Sequence, residues 1–555
     1  MTMEEPRSET ANRSEDADTL VPASSDSSLH LDISRPELPL LRFWLLCFGL
    51  LLGLLLSLLD TSIVATSLFS IAVEFNTLTS VNWVALAYTL TYLGCAVLLA
   101  RISDIVGRRN AFIASYLVFM AFSVACGFTQ NLAQLIACRA VQGLGGSGLY
   151  SITMIILPEV APKKLKSFIG GLIGIVMTAS SVLGPVLGGV LTQYAKWRWV
   201  FWINGPIGVV SMLLFYFAWP KPQYLPNNER RSWKELDYVG SVLLIAAAVL
   251  VVFPFQNAGN MTDQWSKAIF IAPLVIGVAL WVALVGWSIF VERHWGGAID
   301  AALPMRLLHD RVYASAVFNT LLLGFPYMLI IYAFPLRLQM VNGKNPSMAG
   351  IMLLPMLASS AVGSVISGAL NAKKNRVFET LLTATCLLVL GCGLLSTLSS
   401  SIELEPKALG FLVFVGLGFG MVVATSTMVA TIQSSMRDHA PAQGLIAQVR
   451  VLGGSIGIAA SSAIAGVILK ERVGSDTGQS SSLEDTIANL SPERQVNVRV
   501  AYSDAFNEDM RVCAIIGAVA VLLTFGTFSQ KRTTIAEHKE QEMHRMGRRK
   551  ATQPT

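Results

Sequence analysis

The chain is predicted to be an all-α polytopic membrane protein, on three observations. Of its 555 residues 53% are hydrophobic and only 14% are charged, whereas a soluble domain carries about 25% charged residues. The apolar residues gather into roughly fourteen runs of about 20 residues each, the length that crosses a bilayer as a helix. Lysine and arginine concentrate in alternate connections between those runs, the pattern of cytosolic loops. The net charge of +6 therefore reports topology, and no nucleic-acid partner is expected.

Residues 1–40 are polar, acidic and serine-rich (EEPRSET, SEDAD, ASSDSS) and lack a charged-then-apolar leader. They read as a disordered cytosolic tail. Spanning helices are predicted to begin near Phe43, Trp83, Ala111, Leu132, Phe168, Val200, Tyr238, Ala268, Ala314, Ala349, Thr380, Leu409, Gly444 and Val512. The basic segments RISDIVGRR, PKKLK, PKPQYLPNNERRSWK and NAKKNR, with the tail QKRTT to GRRK, place both termini in the cytosol. Residues 471–509 are long and of mixed charge, and read as an outer loop, to which the charge rule gives little weight. Sequons at Asn260 (NMT) and Asn489 (NLS) fall on the outer side and are candidate glycosylation sites, whereas Asn12 (NRS) is cytosolic.

Several chemistries are excluded. The seven cysteines form no CxxC pair, so neither a zinc site nor a disulfide framework is expected; they are small hydrophobes for packing between helices. All histidines lie outside the apolar runs, which argues against a histidine proton relay. HExxH and GxxxxGK[ST] are absent and no His/Cys/Asp set clusters in the sequence, so no enzyme or ATP-driven pump is indicated. No metal and no cofactor are expected.

The segment LLSLLDTSIVATSLF puts Asp60 inside an apolar run, where a carboxylate costs about 2.5–3.5 kcal/mol on insertion scales. By helical rise Asp60 lies roughly 12 Å from the outer end of the first helix, and Arg139 roughly 10 Å from the outer end of the antiparallel fourth. At matching depth the two charges could meet. Burial and the neighbouring cation act on the carboxylate's proton affinity in opposite senses, so substrate or conformation could move a proton on and off Asp60. A static ion pair, and recognition of a cationic substrate by Asp60, are the alternatives.

Other segments carry their own physics. In LARISDIVGRRNAF, Asp104 ends a helix, Gly107 permits a sharp turn, and Arg108 and Arg109 can pair with Asp104 or cap helix C-termini. In SSVLGPVLGGV, which starts at Ser180, Gly184 and Pro185 break helix regularity, and Gly188 and Gly189 remove side chains one turn later. In WRWVFWINGPIG, Trp197, Trp199 and Trp202 suit the outer headgroup belt, with Arg198 snorkelling. Candidate cavity residues are Tyr88, Gln142, Tyr150, Asn319, Tyr327 and Gln339, with Arg450 in QVRVLGGSIG. No acid deep in the last six helices is expected to mirror Asp60.

Together with PEVAPKKLK and CRAVQGLGGSG, these segments resemble the major facilitator superfamily in its fourteen-helix drug:proton antiporter branch, and most nearly its fungal multidrug and secondary-metabolite (mycotoxin) exporters. The resemblance covers nearly all of the chain outside the tails. It implies a six-helix bundle over 41–219, a cytosolic linker with two inserted helices over 220–295, a second six-helix bundle over 296–530 and a basic cytosolic tail over 531–555. Alternating access would rock one bundle against the other; the loop SGALNAKKNR looks like a decayed copy of the first-half latch.

The resemblance also assigns roles. Asp104, Gly107, Arg108 and Arg109 match the conformational latch, although Ala100 and Ile102 replace the usual Gly and Leu. Gly184, Pro185, Gly188 and Gly189 match the antiporter motif, with Ser180 in place of its first glycine. Arg139 with Gln142 and Gly143 matches RxxQG, implicated in proton coupling, on a helix that lines the central cavity beside helix 1. The function implied is proton-coupled efflux of a small amphipathic organic compound, such as a fungal metabolite, toxin or drug. The transporter would be monomeric, embedded in the lipid bilayer of the plasma membrane and driven by the proton gradient. Siderophore or amino-acid transport, and the vacuolar membrane, are the alternatives.

Overall fold

The computed structural model describes residues 38–77, 80–162, 166–221, 236–258, 266–295, 303–372, 374–401, 403–434, 439–473 and 492–529, with a few isolated positions between them. Asn260, Asn489, residues 1–37 and the tail 531–555 lie outside the described residues. Among those described, 14 helices are long and apolar enough to cross a membrane. They are α1 (Leu40–Thr66), α2 (Trp83–Val106), α3 (Arg108–Cys126), α4 (Leu132–Leu157), α5 (Leu172–Tyr194), α6 (Trp199–Ala218) and α7 (Tyr238–Asn257). There follow α8 (Ala268–His294), α9 (Arg311–Met340), α10 (Pro346–Asn371), α11 (Val377–Leu395), α12 (Lys407–Gln433), α13 (Ala442–Leu469) and α14 (Gln495–Thr527). The all-helical membrane class is as predicted, and all but the last helix begin within about one turn of the expected residue.

Helix 14 is the exception. Its helix starts at Pro492, well before the expected Val512, so the second part of the segment read as an outer loop is helix. The polar stretch ERQVNVRVAYSDAFNEDMR forms its first turns, and Val498, Ala501, Tyr502, Ala505 and Phe506 bury one face of them.

Local chemistry explains the breaks that matter. Gly107, at φ 99°, links α2 to α3 in a backbone conformation that side chains with a Cβ rarely adopt. Helix 1 loosens into a 3₁₀ turn over Ile63–Thr66, just after Thr61 and Ser62 donate their hydroxyls to the carbonyls of Leu58 and Leu59. Such back-bonding competes with the helical ladder and bends helices.

Helices α1–α6 pack as one group and α9–α14 as another, with α7 lying across the seam between α2 and α13 and α8 outside it. At the end of the bundle where the chain enters and leaves, the two groups have separate cores. One is built on Phe43, Leu50, Phe112, Ile156 and Phe215, the other on Leu307, Ala316, Val429 and Leu445. At the opposite end a single core runs through both groups, from Ile63, Val64 and Leu68 to Phe334, Leu338 and Leu353. Close packing therefore joins the halves most extensively at that end, and α2 also touches α13 further down, where Gln448 Nε2 donates to the Leu93 carbonyl at 3.2 Å.

Candidate functional site

The joined end is closed by direct contacts between the halves. Tyr332 of α9 donates its hydroxyl to the carbonyl of Thr61 at 2.5 Å, and Gln339 Nε2 reaches the carbonyl of Thr66 at 3.4 Å. Helix 5 supplies the seam. A Cβ at Gly184 would meet Ser62 and one at Gly188 the carbonyl of Ile63, while Gly189 abuts the backbone of Pro346. Gly350 of α10 in turn abuts the Pro185 carbonyl, which accepts a hydrogen bond from Thr66 Oγ1 at 3.2 Å. The glycines thus pack α5 against both the loosened end of α1 and the other half. Ser180 is buried and donates within its own helix to Met177.

From this closed end a cavity of about 2280 Å³ runs to the chain-terminal end. Its inner wall includes Thr61, Tyr92, Tyr150, Tyr327, Phe419 and Arg450. Tyr327 stacks on Phe419, and Tyr92 packs on Tyr150 with ring centroids 5.8 Å apart. Tyr92 Oη is buried without a hydrogen-bond partner among the described residues.

The predicted charge pair forms, but behind the cavity wall. Asp60 and Arg139 are both fully buried, and Arg139 Nη1 pairs with Asp60 Oδ2. The guanidinium spends its remaining donors on the carbonyls of Val84 (3.0 Å) and Asp60 (3.3 Å) and on Gln142 Oε1 (2.8 Å). It lies 4.3 Å from the centroid of the Tyr88 ring and 5.5 Å from that of Phe201. Close approach makes this possible: a Cβ at Gly143 would meet the Tyr88 carbonyl and one at Gly146 the Tyr88 hydroxyl. Tyr88 itself donates to the carbonyl of Ser57 at 2.8 Å. Asp60 Oδ1 accepts from Asn204 Nδ2 at 3.1 Å, and Asn204 is held by Ser123 at 2.9 Å.

Four expected cavity residues lie elsewhere. Tyr88 and Gln142 are buried against Arg139. Asn319 is buried against Ser315 and Thr524, and Gln339 belongs to the closed end. Their polar atoms serve helix–helix contacts, whereas Tyr150, Tyr327 and Arg450 line the cavity. Trp197 is not a belt residue: it is buried and donates to Glu74 at 2.5 Å, and Arg198 pairs with Glu74 at 2.5 Å.

The latch segment sits at the cavity mouth, where Arg108 and Arg109 contact partners in the first half. Arg108 pairs with Asp104 at 2.5 Å and with Glu159 of the α4 end at 2.9 Å. Arg109 lies over the Tyr216 ring at 4.6 Å.

Sequence reasoning missed Asn204, which stands out only as a polar residue just before Gly205 and Pro206 in an apolar run. It missed Tyr332, a tyrosine among many apolar neighbours. It also denied a deep acid to the second half, yet Asp509 is buried on α14 and accepts from Ser461 Oγ at 2.6 Å. Placing Asp509 in a loop followed from starting that helix too late.

Residues 50–458 match the Major Facilitator Superfamily profile. Among curated proteins the chain is 34% identical over 496 residues to the MFS-type transporter FPY5 of Fusarium mangiferae, covering 87% of this chain and 83% of that one. It is 28% identical to the MFS-type efflux pump MFS1 of Arthroderma benhamiae, covering 88% and 91%. Among solved structures it resembles an inward-facing bacterial homolog of the human lysosomal transporter Spinster. The TM-score is 0.62 at 16% identity, over 89% of this chain and 100% of that one.

Proposed function

Since the chain belongs to the Major Facilitator Superfamily, and is therefore a multi-pass membrane transporter rather than an enzyme, we propose that it is a proton-coupled exporter of small amphipathic organic compounds. Its place is the plasma membrane with both termini cytosolic, so the cavity opens to the cytosol and the closed end faces outward. In that orientation the cavity is poised to load cargo from inside the cell. The relative named an efflux pump supports the same direction.

The observation that carries the coupling is the buried Asp60–Arg139 pair, whose neighbour Thr61 both lines the cavity and accepts the Tyr332 hydroxyl from the other half. A proton on Asp60 removes the charge that Arg139 holds, and the α1 end that seals the outer face is built on the same turn. Protonation and outward opening are thereby tied to one segment. Closure of the mouth in the alternate state would bring Asp104, Arg108 and Arg109 toward the second half, as a latch.

Drug and toxin tolerance in pump-depleted yeast tests this reading, comparing wild type with Asp60→Asn at matched surface levels and several external pH values. Protection by wild type that depends on the pH gradient and is lost in the variant is expected. Equal protection by both would make the pair structural, and protection by neither would remove the exporter reading.

A further inference from the structure

Arg139 and Arg450, each on a spanning helix, have different surroundings. Arg139 is satisfied by Asp60, Gln142 and two backbone carbonyls. Arg450 of α13 is half-buried on the cavity wall and makes no hydrogen bond or ion pair among the described residues. It lies roughly 12 Å along α13 from the chain-terminal end by helical rise. It is close enough to the hydroxyls of Tyr92, Tyr150 and Tyr327 to act on them electrostatically. Among the described residues, the carboxylates that line the cavity are Asp104, Glu159 and Glu292, all near its mouth. Arg108 takes the first two and the backbone N–H of Arg306 the third. Asp60 is absent from the wall and already engaged.

While the cavity is open, water can solvate Arg450. Once the halves close around cargo, that water leaves, and an unpaired guanidinium at this depth is costly. Among the described residues, nothing on the facing helices supplies a counter-charge. We infer that the cargo does: it carries a carboxylate or other organic anion that docks on Arg450, with its aromatic or apolar body against Tyr92, Tyr150, Tyr327 and Phe419. The guanidinium fork suits a carboxylate. The unpartnered Tyr92 hydroxyl and that of Tyr150 provide further donors. This rests on the exporter reading and narrows it to organic anions.

Equilibrium binding to the purified full chain in detergent tests the inference, using tritiated 1-naphthaleneacetate by scintillation proximity, with 2-(1-naphthyl)ethylammonium as the competitor of opposite charge. Wild type is expected to bind the carboxylate at least about tenfold more tightly than the ammonium. Arg450→Gln is expected to weaken the carboxylate about ten- to hundredfold and leave the ammonium unchanged, as a lost charge-assisted hydrogen bond would. Arg450→Lys should recover part of the loss. Tyr150→Phe, which removes one hydroxyl, should weaken the carboxylate about fivefold, and with the wild-type charge preference it keeps the test open should Arg450→Gln misfold. Preference for the ammonium, binding of neither probe, or an Arg450→Gln protein that elutes as wild type with unchanged affinity overturns the inference. No proton gradient is present, so these results stand apart from coupling through Asp60.

Discussion

The two halves handle their buried charge in opposite ways. In the first, Asp60 and Arg139 meet in a closed nest of Asn204, Gln142 and Tyr88, with both charges out of reach of the cavity. In the second, the charges are apart: Arg450 faces the cavity, Arg337 is buried against Asn342 and the Ser399 carbonyl, and Asp509 is buried midway along α14 with Ser461 as its partner. A charge sealed with its counter-ion is suited to a switch that conformation can open, since breaking the pair changes its energy greatly. A charge left open on the wall is suited to meeting something that arrives. The asymmetry divides coupling from recognition.

Breaking the sealed pair has the largest expected effect. Asp60→Ala strands Arg139 and should lower stability by about 3–5 kcal/mol, read as a fall in the melting temperature of purified protein. The paired change Asp60→Leu with Arg139→Met should restore much of that stability, because apolar residues often replace a buried ion pair without loss, yet leave transport uncoupled from pH. Recovery of pH-dependent transport in the double variant would contradict the account.

Next comes the seam. Gly188→Ala places a Cβ against the Ile63 carbonyl and should cost about 1–3 kcal/mol as overpacking. A control change in the second half, Gly393→Ala on α11, meets nothing within 4 Å and should gain about 0.5–1 kcal/mol from helix propensity. Equal melting shifts for the two would mean that the glycine seam carries no packing role. Tyr332→Phe removes one bond between the halves and should lower stability by about 0.5–1.5 kcal/mol; an unchanged melting curve would show that bond to be dispensable.

The smallest effect sharpens the comparison most. Asp509→Asn keeps an acceptor for Ser461 and removes only the charge, so transport and its pH dependence should be retained. Loss of pH dependence would move coupling, or a share of it, into the second half.

Legibility in the sequence followed the same division. Helix count and class were readable because runs of spanning length are conspicuous, and Asp60 and Arg139 because a charge in such a run is too costly to be incidental. Their partners were harder. In a bilayer the lipid-facing and protein-facing sides of a helix are both apolar, so no periodicity told Tyr88 and Gln142, which point into helix contacts, from Tyr150 and Tyr327, which face the cavity. Trp197 and Arg198 had the composition of an interfacial belt, and only the fold brings Glu74 to them. Asp509 was missed because the first turns of α14 are too polar to read as part of a spanning helix.

The central claim, that Asp60 carries the coupled proton, is tested most directly in proteoliposomes with the compound identified by yeast protection. Wild type with an acid interior should accumulate the labelled compound against its gradient. Asp60→Asn should lose that accumulation and still exchange labelled for unlabelled compound across the membrane. Accumulation by Asp60→Asn at the wild-type level would contradict the claim.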